Sequence, residues 1–195
     1  MNLANILTSF RILIIPFLVI IMFSDLRGRE IVAASLFAAA WLTDWLDGLW
    51  ARKNHKVSTL GQLLDPTADK LLVVSVLVCL VELGAVPAWM AVIIIGRELA
   101  VSGFRAIAAS RNVAIPASMM GKIKMAVESA TLTLLLLGEK NLGALYPAAR
   151  VGLWLAVAIS LFSGLEYYLK YLPRLSSQEK TSSLPPGPQA GRGGS

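Results

Sequence analysis

Apolar segments separated by short polar connections follow one another along the whole chain. The hydrocarbon core of a bilayer is crossed by a helix of about 20 predominantly apolar residues, and segments of about this length recur here. The pattern therefore predicts an all-α integral membrane protein with six transmembrane helices. The predicted spans are Ile6 to Phe23, Ile31 to Leu49, Leu71 to Val86, Trp89 to Ala109, a fifth that follows Lys124 and ends at Leu137, and Ala149 to Tyr168.

Prolines and a polar loop predict where these helices begin and end. Pro66 suits the first turn of a helix, so the third helix is predicted to begin at Asp65 or Thr67. Pro87 marks the turn before the fourth helix. A polar loop at residues 25–30 separates the first two helices. The second span is rich in alanine, which predicts a close approach of neighbouring backbones.

The composition is that of a membrane protein. Of the 195 residues, 56% are hydrophobic and 15% are charged, and the mean hydropathy is +0.67, which is unusual for a soluble domain of this size. The net charge of +6 could indicate a nucleic-acid partner, but the basic residues lie in short connections between apolar spans. That placement fits an anionic lipid surface better. We expect one integral membrane domain in contact with membrane lipids, and no nucleic-acid partner.

The two ends of the chain need separate interpretations. A signal peptide is an alternative for the first span, but no small-residue cleavage pattern follows it and five more spans do. From Ser176 onward the chain has too little apolar content to fold. We predict a six-helix membrane domain at residues 1–175 and a disordered tail at residues 176–195.

The distribution of lysine and arginine predicts the orientation of the spans. Cytoplasmic connections of membrane proteins carry an excess of these residues, and six spans place both termini on the same side. We therefore predict a multi-pass protein of the cytoplasmic (inner) membrane, with both termini and the loop after the second span facing the cytoplasm. The residues that determine this orientation are Arg52, Lys53, Lys56, Arg105, Arg111, Lys122, Lys124, Lys170, Arg174, Lys180 and Arg192.

Four aspartates form two pairs where the second and third spans meet, Asp44 with Asp47 and Asp65 with Asp69. Residues three or four apart share a face of a helix, so each pair can direct both carboxylates to one point. Four carboxylates beside an apolar core repel one another unless cations hold them. Mg²⁺ and Mn²⁺ take oxygen ligands and would supply that charge. A purely structural ion-pair cluster is the alternative, but this stretch has too few basic residues to balance its acids.

The spacing in this stretch resembles the signature of the CDP-alcohol phosphotransferase family. The signature is D-x-x-D-G-x-x-A-R, then eight residues, then G-x-x-x-D-x-x-x-D, and every fixed position is matched. The matching residues are Asp44, Asp47, Gly48, Ala51, Arg52, Gly61, Asp65 and Asp69. The resemblance extends from Asn5 to about Lys170 and implies the six-helix membrane fold of that family, with a homodimer as in relatives.

The resemblance also implies roles for single residues. Asp44, Asp47, Asp65 and Asp69 would hold two divalent metal ions, Mg²⁺ or Mn²⁺, and Asp69 would also be the general base that takes the proton of the acceptor hydroxyl. For the substrate CDP-diacylglycerol, it implies contacts from Gly48, from Arg52 to the diphosphate, and from Ser58. The N-terminal N-I-L-T-S-F-R resembles the N-x-L-T-x-x-R stretch that lines the CDP-diacylglycerol site in the glycerophosphate-transferring branch, which adds Asn5 and Thr8.

A second set of basic residues lies in or at the ends of spans four and five, and these residues could converge on a dianionic phosphate. They are Arg97, Arg105, Lys122 and Lys124. The sequences G-R-E-L-A-V-S-G-F-R and G-K-I-K around them resemble the branch whose acceptor is sn-glycerol 3-phosphate. Met125 and Glu128 depart from the pattern of that branch. We expect Glu128 to pair with Lys124, four residues earlier on the same helix.

Alternatives to this phosphate site remain open at this point. Arg97 could compensate the charge of Glu98 inside a packed bundle. Lys122 could be an anchor at the membrane surface.

The resemblance implies transfer of a phosphatidyl group from CDP-diacylglycerol to sn-glycerol 3-phosphate, with release of CMP. The same chemistry with inositol phosphate, serine or phosphatidylglycerol as acceptor is an alternative. A cation transporter using intramembrane carboxylates is another, and it predicts ion flux without CMP release. A non-catalytic scaffold that keeps the motif would show no metal-dependent turnover.

Overall fold

The computed structural model describes the backbone of residues 3–54, 59–110 and 119–182, and the side chains of residues 10–43, 67–110 and 119–170. Over these ranges the chain is helical and contains no strand, so the all-α prediction is confirmed. The helices are α1 (Leu3–Phe23), α2 (Arg29–Asn54), α3 (Thr59–Glu82), α4 (Ala88–Ser110), α5 (Met119–Leu142), a 3-10 turn (Gly143–Leu145) and α6 (Tyr146–Ser182).

The turn between α3 and α4 shows how the sequence ends one helix and begins the next. Gly84 has a φ of +72°, a conformation that glycine adopts without steric cost, and its N–H donates to the carbonyl of Val81. The N–H of Ala85 reaches back to the carbonyl of Leu80, which completes a Schellman ending. Pro87 then accepts hydrogen bonds from the first turn of α4, as the predicted turn at this proline requires.

Several helix limits differ from the sequence prediction, such as the end of α3 at Glu82 instead of Val86, and three further cases have a clear local cause. Helix α3 begins at Thr59, so the predicted start at Asp65 or Thr67 is wrong and Pro66 lies inside the helix. Proline is tolerated within the helices of membrane bundles, where neighbouring groups satisfy the freed carbonyl. Helix α5 continues to Leu142, but its helical geometry is interrupted at Gly138, directly after the predicted end of the fifth span.

Helix α6 is the third case, because it runs past Ser176 to Ser182. The first part of the segment predicted to be a disordered tail is therefore helical. Gln178, Glu179 and Lys180 are good helix formers, which is why the helix can continue there. Residues 183–195 lie outside the described part of the chain, and for them the tail stays a prediction.

The helices pack around one continuous apolar core. Helix α1 packs on α2 and α3, α5 packs on α2 and α6, and α4 packs on α6 and more lightly on α3. The predicted close approach of α2 is visible at Ala33 and Ala34, which are both buried beside the fully buried Phe37. Every helix contributes to this core, for example through Leu18, Phe37, Leu77, Ile94, Leu132 and Val157.

Polar groups lie inside the bundle, while large apolar side chains cover much of its outer surface. Arg11, Lys124 and Ser160 are buried, whereas Phe17 and Phe162 are among the most exposed apolar residues. Extensive exposed apolar surface marks contact with a partner or a membrane. This distribution fits a bundle whose outer faces contact lipid.

Within the described residues, one helical stretch is long and apolar enough to cross a membrane. It lies within Met119–Lys170, where an 18-residue window has a mean hydropathy of 1.7, and Phe10–Phe23 is a shorter apolar helix. Helix α4 is 23 residues long, which is enough to cross a membrane, but its apolar character is reduced by Arg97, Glu98 and Arg105. Six transmembrane spans therefore remain a prediction.

Candidate active site

The backbone places the four signature aspartates in the register that the sequence predicts. Asp44 and Asp47 both lie in α2, three residues apart, and Asp65 and Asp69 both lie in α3, four residues apart. Of these four, only Asp69 has a described side chain. The helical register needed to bring the carboxylates of each pair to one face is therefore present.

Asp69 is held by an arginine from another helix. The Arg11 guanidinium donates from Nη1 to Asp69 Oδ1 at 2.6 Å. Arg11 is buried, whereas about a quarter of the Asp69 side chain stays exposed. The pair fastens α1 to α3 and leaves part of the carboxylate accessible. Arg11 is thus a site residue whose partner could not be found from sequence, although the N-x-L-T-x-x-R resemblance, which ends at Arg11, implied that this stretch lines the substrate site.

The other predicted substrate residues have no described side chains. Asn5 and Thr8 lie in α1, and Gly48 and Arg52 lie in α2, as far as the backbone shows. Ser58 lies outside the described residues. Their contacts with CDP-diacylglycerol stay predictions.

The donor chemistry of the aspartates fits a divalent metal. Among the described side chains, no group of three acidic, histidine or cysteine residues lies close enough to hold a metal ion. The side chains of Asp44, Asp47 and Asp65 lie outside the described residues. The one that is described, Asp69, presents a partly exposed carboxylate rather than a closed ion pair. Carboxylate oxygens are the ligands that Mg²⁺ and Mn²⁺ prefer.

The predicted acceptor residues Arg97 and Lys124 meet in a buried ionic cluster, joined by Glu98. Glu98 Oε1 accepts from Arg97 Nη1 at 2.7 Å and also from Lys124 Nζ. Lys124 Nζ also contacts Glu128 Oε2, so the predicted pair on α5 is confirmed. The Lys124 side chain is fully buried and the other three are nearly so. We call Arg97, Glu98, Lys124 and Glu128 the ionic cluster.

The ionic cluster balances its own charge, with two cations and two carboxylates. Charge compensation of Arg97 by Glu98, an alternative at the sequence level, is therefore present in the structure. A balanced cluster by itself does not attract an anion, so any binding of phosphate needs further positive charge nearby.

Lys70 is a further positive charge that interacts with both the ionic cluster and Asp69. This half-buried lysine lies within electrostatic range of Glu98, Arg105, Asp69 and Arg97. The candidate general base and the candidate phosphate residues therefore both act electrostatically on this lysine. Lys70 was not among the predicted site residues. Its signal in the sequence was its position directly after Asp69.

The remaining predicted acceptor residues are more accessible. Arg105 on α4 and Lys122 on α5 are both exposed. Arg105 shares the neighbourhood of Lys70, which brings it toward the cluster. No described contact ties Lys122 to this group, so its role as a membrane anchor stays open.

Helix α6 completes the surroundings of Arg97. Arg97 Nε donates to Ser163 Oγ at 3.1 Å, and Ser163 Oγ in turn donates to the carbonyl of Ser160 at 3.3 Å. A Cβ added to Gly164 would lie 3.3 Å from Arg97 Cγ, so the glycine permits this close approach. An apolar cavity of about 450 Å³ between α4 and α6 adjoins the same arginine.

Comparison with known proteins identifies the family. The family model described as CDP-alcohol phosphatidyltransferase matches residues 1–162. The chain belongs to this family. It is 40% identical over 182 residues to the CDP-diacylglycerol--glycerol-3-phosphate 3-phosphatidyltransferase of Bacillus subtilis, which covers 87% of this chain and 94% of the relative.

Two further members of the CDP-alcohol phosphatidyltransferase family support the same assignment. A Rickettsia typhi protein with the same name as the Bacillus relative is 34% identical over 86% of this chain and 95% of its own length. The probable phosphatidylglycerophosphate synthase of Mycobacterium tuberculosis is 36% identical over 93% of this chain and 87% of its own length. These matches cover most of this chain.

Proposed function

We propose that this protein transfers a phosphatidyl group from CDP-diacylglycerol to sn-glycerol 3-phosphate, giving phosphatidylglycerophosphate and CMP. The observation that carries the proposal is the complete aspartate signature on α2 and α3 of a chain 40% identical to an enzyme named for this reaction. The buried and surface cations around Arg97 supply the chemistry that an anionic acceptor requires.

Two divalent metal ions, Mg²⁺ or Mn²⁺, would be held by Asp44, Asp47, Asp65 and Asp69. When bound, they would neutralise the diphosphate and stabilise the attacking and leaving oxygens. Gly48 would let the backbone approach the nucleotide, and Arg52 would offer its planar fork to the diphosphate. We assign Asn5, Thr8 and Ser58 to the same substrate on the basis of the family resemblance.

Asp69 is the proposed general base. The acceptor hydroxyl attacks the β-phosphorus of CDP-diacylglycerol, and its proton passes to the Asp69 carboxylate. The new P–O bond forms as the P–O bond to CMP breaks, so CMP leaves with its phosphate. Arg11, bonded to Asp69 Oδ1 at 2.6 Å, orients the carboxylate for this transfer.

The acceptor phosphate would be bound by Arg97 and Arg105, with further positive charge from Lys70. Lys70 interacts electrostatically with both arginines and with Asp69, which supports a role for its charge in this site. Lys122 is exposed and would add charge at the entrance. Lys124 is fully buried, so we assign it to the support of this site rather than to direct contact with phosphate.

We place the protein in the cytoplasmic (inner) membrane with its termini and site toward the cytoplasm, and we propose a homodimer. The excess of lysine and arginine in the connections after α2 and α4 supports this orientation. The exposed apolar faces of the bundle support insertion in lipid.

CMP release from CDP-diacylglycerol by the detergent-purified protein tests the function. Parallel reactions contain glycerol 3-phosphate, inositol phosphate, serine or phosphatidylglycerol, each with Mg²⁺ or Mn²⁺ and with a chelator. We expect metal-dependent release with glycerol 3-phosphate alone. Release with a different acceptor would keep the reaction class and replace the substrate. Folded protein without release in any reaction would contradict the proposal and favour a scaffold or a transporter, which flux measurements in liposomes would separate.

A further inference from the structure

One carboxylate oxygen of Glu98 joins Arg97 and Lys124, the two most buried cations among the predicted acceptor residues. Glu98 Oε1 accepts from both Arg97 Nη1 and Lys124 Nζ, although Arg97 and Lys124 belong to different helices. Two cations that share an acceptor are held together against their mutual repulsion. Without that carboxylate, the attraction that keeps Arg97 beside Lys124 would be lost.

Lys124 acts on Arg97 only through this carboxylate. Its side chain is fully buried, and its described contacts are to Glu98 and Glu128. The backbones of α4 and α5 have very few close approaches of their own, so the bond between Glu98 and Lys124 is a main connection between these helices. Lys124 therefore fixes the position of Glu98, and Glu98 fixes the position of Arg97.

Arg97 is also fixed from its other side. Its Nε donates to Ser163 Oγ on α6, and Gly164 leaves just enough room for the arginine side chain to pass. A guanidinium held at both Nη1 and Nε has one orientation. Such preorganisation lowers the cost of binding because little freedom remains to be lost.

We infer that Glu98 is a positioning residue for the acceptor phosphate, since it sets the orientation of Arg97 through a carboxylate anchored on Lys124. The inference rests on the proposed function, in which Arg97 binds the phosphate of glycerol 3-phosphate. Glu98 itself does not contact that phosphate, because like charges repel. Its effect on binding is carried by the arginine that it holds.

Glu128 provides a matched control inside the same cluster. It contacts the same Lys124 ammonium through Oε2, and it is as buried as Glu98 or more so. No described contact connects it to Arg97, and its Oε1 has no hydrogen-bond partner among the described residues. Loss of either carboxylate removes one negative charge from beside the Lys124 ammonium. Only loss of Glu98 also removes a hydrogen-bond acceptor of Arg97.

The test compares steady-state kinetics of Glu98→Gln and Glu128→Gln with those of the unmodified protein in the same detergent. For Glu98→Gln we expect the KM for glycerol 3-phosphate to rise about tenfold, the size expected for the loss of one well-oriented charged hydrogen bond. The kcat at saturating acceptor and the KM for CDP-diacylglycerol should stay within about twofold, because the reacting groups are unchanged. Glu128→Gln should leave the KM for glycerol 3-phosphate within about twofold.

The conservative variant Glu98→Asp keeps the charge on a shorter side chain, and its KM for glycerol 3-phosphate should lie between those of the unmodified protein and Glu98→Gln. A purely structural role would instead lower the thermal unfolding temperature of Glu98→Gln and Glu128→Gln alike, with no selective change in KM. An unchanged KM in Glu98→Gln, or an equal rise in Glu128→Gln, would overturn the inference.

If Glu98→Gln does not fold, Glu98→Asp decides, because its shorter side chain draws the carboxylate away from Arg97 and keeps the charge. A raised KM for glycerol 3-phosphate then supports positioning through Arg97, and an unchanged KM overturns it. Failure of the proposed function is distinguishable from either outcome, since the unmodified protein would then release no CMP with glycerol 3-phosphate.

Discussion

Among the described side chains, two polar regions interrupt the apolar bundle, and they differ in how their charges are balanced. Between α1 and α3, Arg11 bonds to Asp69, and 24% of the Asp69 side chain remains exposed. Between α4, α5 and α6, two cations and two carboxylates form a closed cluster in which no side chain is more than 13% exposed. The first region contains a partly exposed carboxylate, whereas the charged groups of the second region form ion pairs with one another.

This difference indicates different tasks. An accessible carboxylate beside three more aspartates in the sequence suits metal binding and proton transfer. A closed cluster suits positioning, because buried charges that satisfy each other have fixed orientations. Lys70 interacts electrostatically with charged groups of both regions. We therefore expect substitutions in the first region to affect turnover, and substitutions in the second to affect acceptor binding or stability.

The largest expected effect is that of Asp69→Asn. Asparagine has nearly the same shape but cannot take the proton of the acceptor hydroxyl, so kcat for CMP release should fall at least about 10³-fold. The unfolding temperature should also fall, because the buried Arg11 loses its carboxylate partner, so activity is compared at a temperature where both proteins are folded. A variant that kept more than a tenth of the activity would remove Asp69 from the role of general base.

Lys124→Met should cost stability rather than chemistry. It removes the cation from a buried pair and leaves the Glu128 carboxylate uncompensated, which should lower the free energy of unfolding by about 3 kcal/mol. Denaturant unfolding in detergent measures the change. The double variant Lys124→Met with Glu128→Gln should recover part of the loss. Equal stability of Lys124→Met and the unmodified protein would contradict a closed, charge-balanced cluster.

Arg105→Gln should have a moderate effect on the acceptor alone. Because Arg105 is exposed, its contact with phosphate should be worth about 1 kcal/mol, which is roughly a fivefold rise in the KM for glycerol 3-phosphate. The comparison variant Lys122→Gln separates phosphate binding from anchoring, since an anchor leaves this KM unchanged. An unaltered KM in Arg105→Gln would exclude Arg105 from the acceptor site.

The smallest expected effect is that of Gly152→Ala, which strains the bundle without touching either polar region. The new Cβ would lie 2.6 Å from Thr131 Oγ1 on the neighbouring helix. Overpacking of this kind should lower stability by about 1 kcal/mol, and the Thr131 side chain can rotate to limit the cost. Thermal unfolding should show the loss, and a second change, Thr131→Ala, should relieve it. A change in either KM would mean that packing and acceptor binding are coupled here.

Features that depend on local spacing could be predicted from the sequence. Helical periodicity predicted that Asp65 and Asp69 share a helix, and it predicted the pair between Lys124 and Glu128, which is confirmed. The limits of α3 could not be predicted from the same rules. Proline is favoured in the first turn of a helix, and this preference predicted that α3 begins next to Pro66. The helix in fact begins earlier, at Thr59, and contains Pro66 in its interior.

Contacts between distant helices could not be predicted. Arg11 lies 58 residues from Asp69 along the chain, and Arg97 lies 66 residues from Ser163. Whether such residues meet depends on how the helices pack, which no local pattern specifies. The sequence indicated that Arg97 and Lys124 could converge on a phosphate and that Arg97 could compensate Glu98, but it did not indicate that one Glu98 oxygen would join Arg97 to Lys124.

We assign turnover to the region around Asp69 and acceptor binding to the region around Arg97. The most direct test measures binding of glycerol 3-phosphate to the Asp69→Asn protein in the presence of Mg²⁺ and CDP-diacylglycerol. Radiolabelled acceptor measures binding independently of turnover. We predict that the variant binds glycerol 3-phosphate with an affinity within about threefold of the KM of the unmodified protein while releasing almost no CMP, because the phosphate contacts lie around Arg97. Loss of acceptor binding together with turnover would contradict the account, since Asp69 would then belong to the binding site itself.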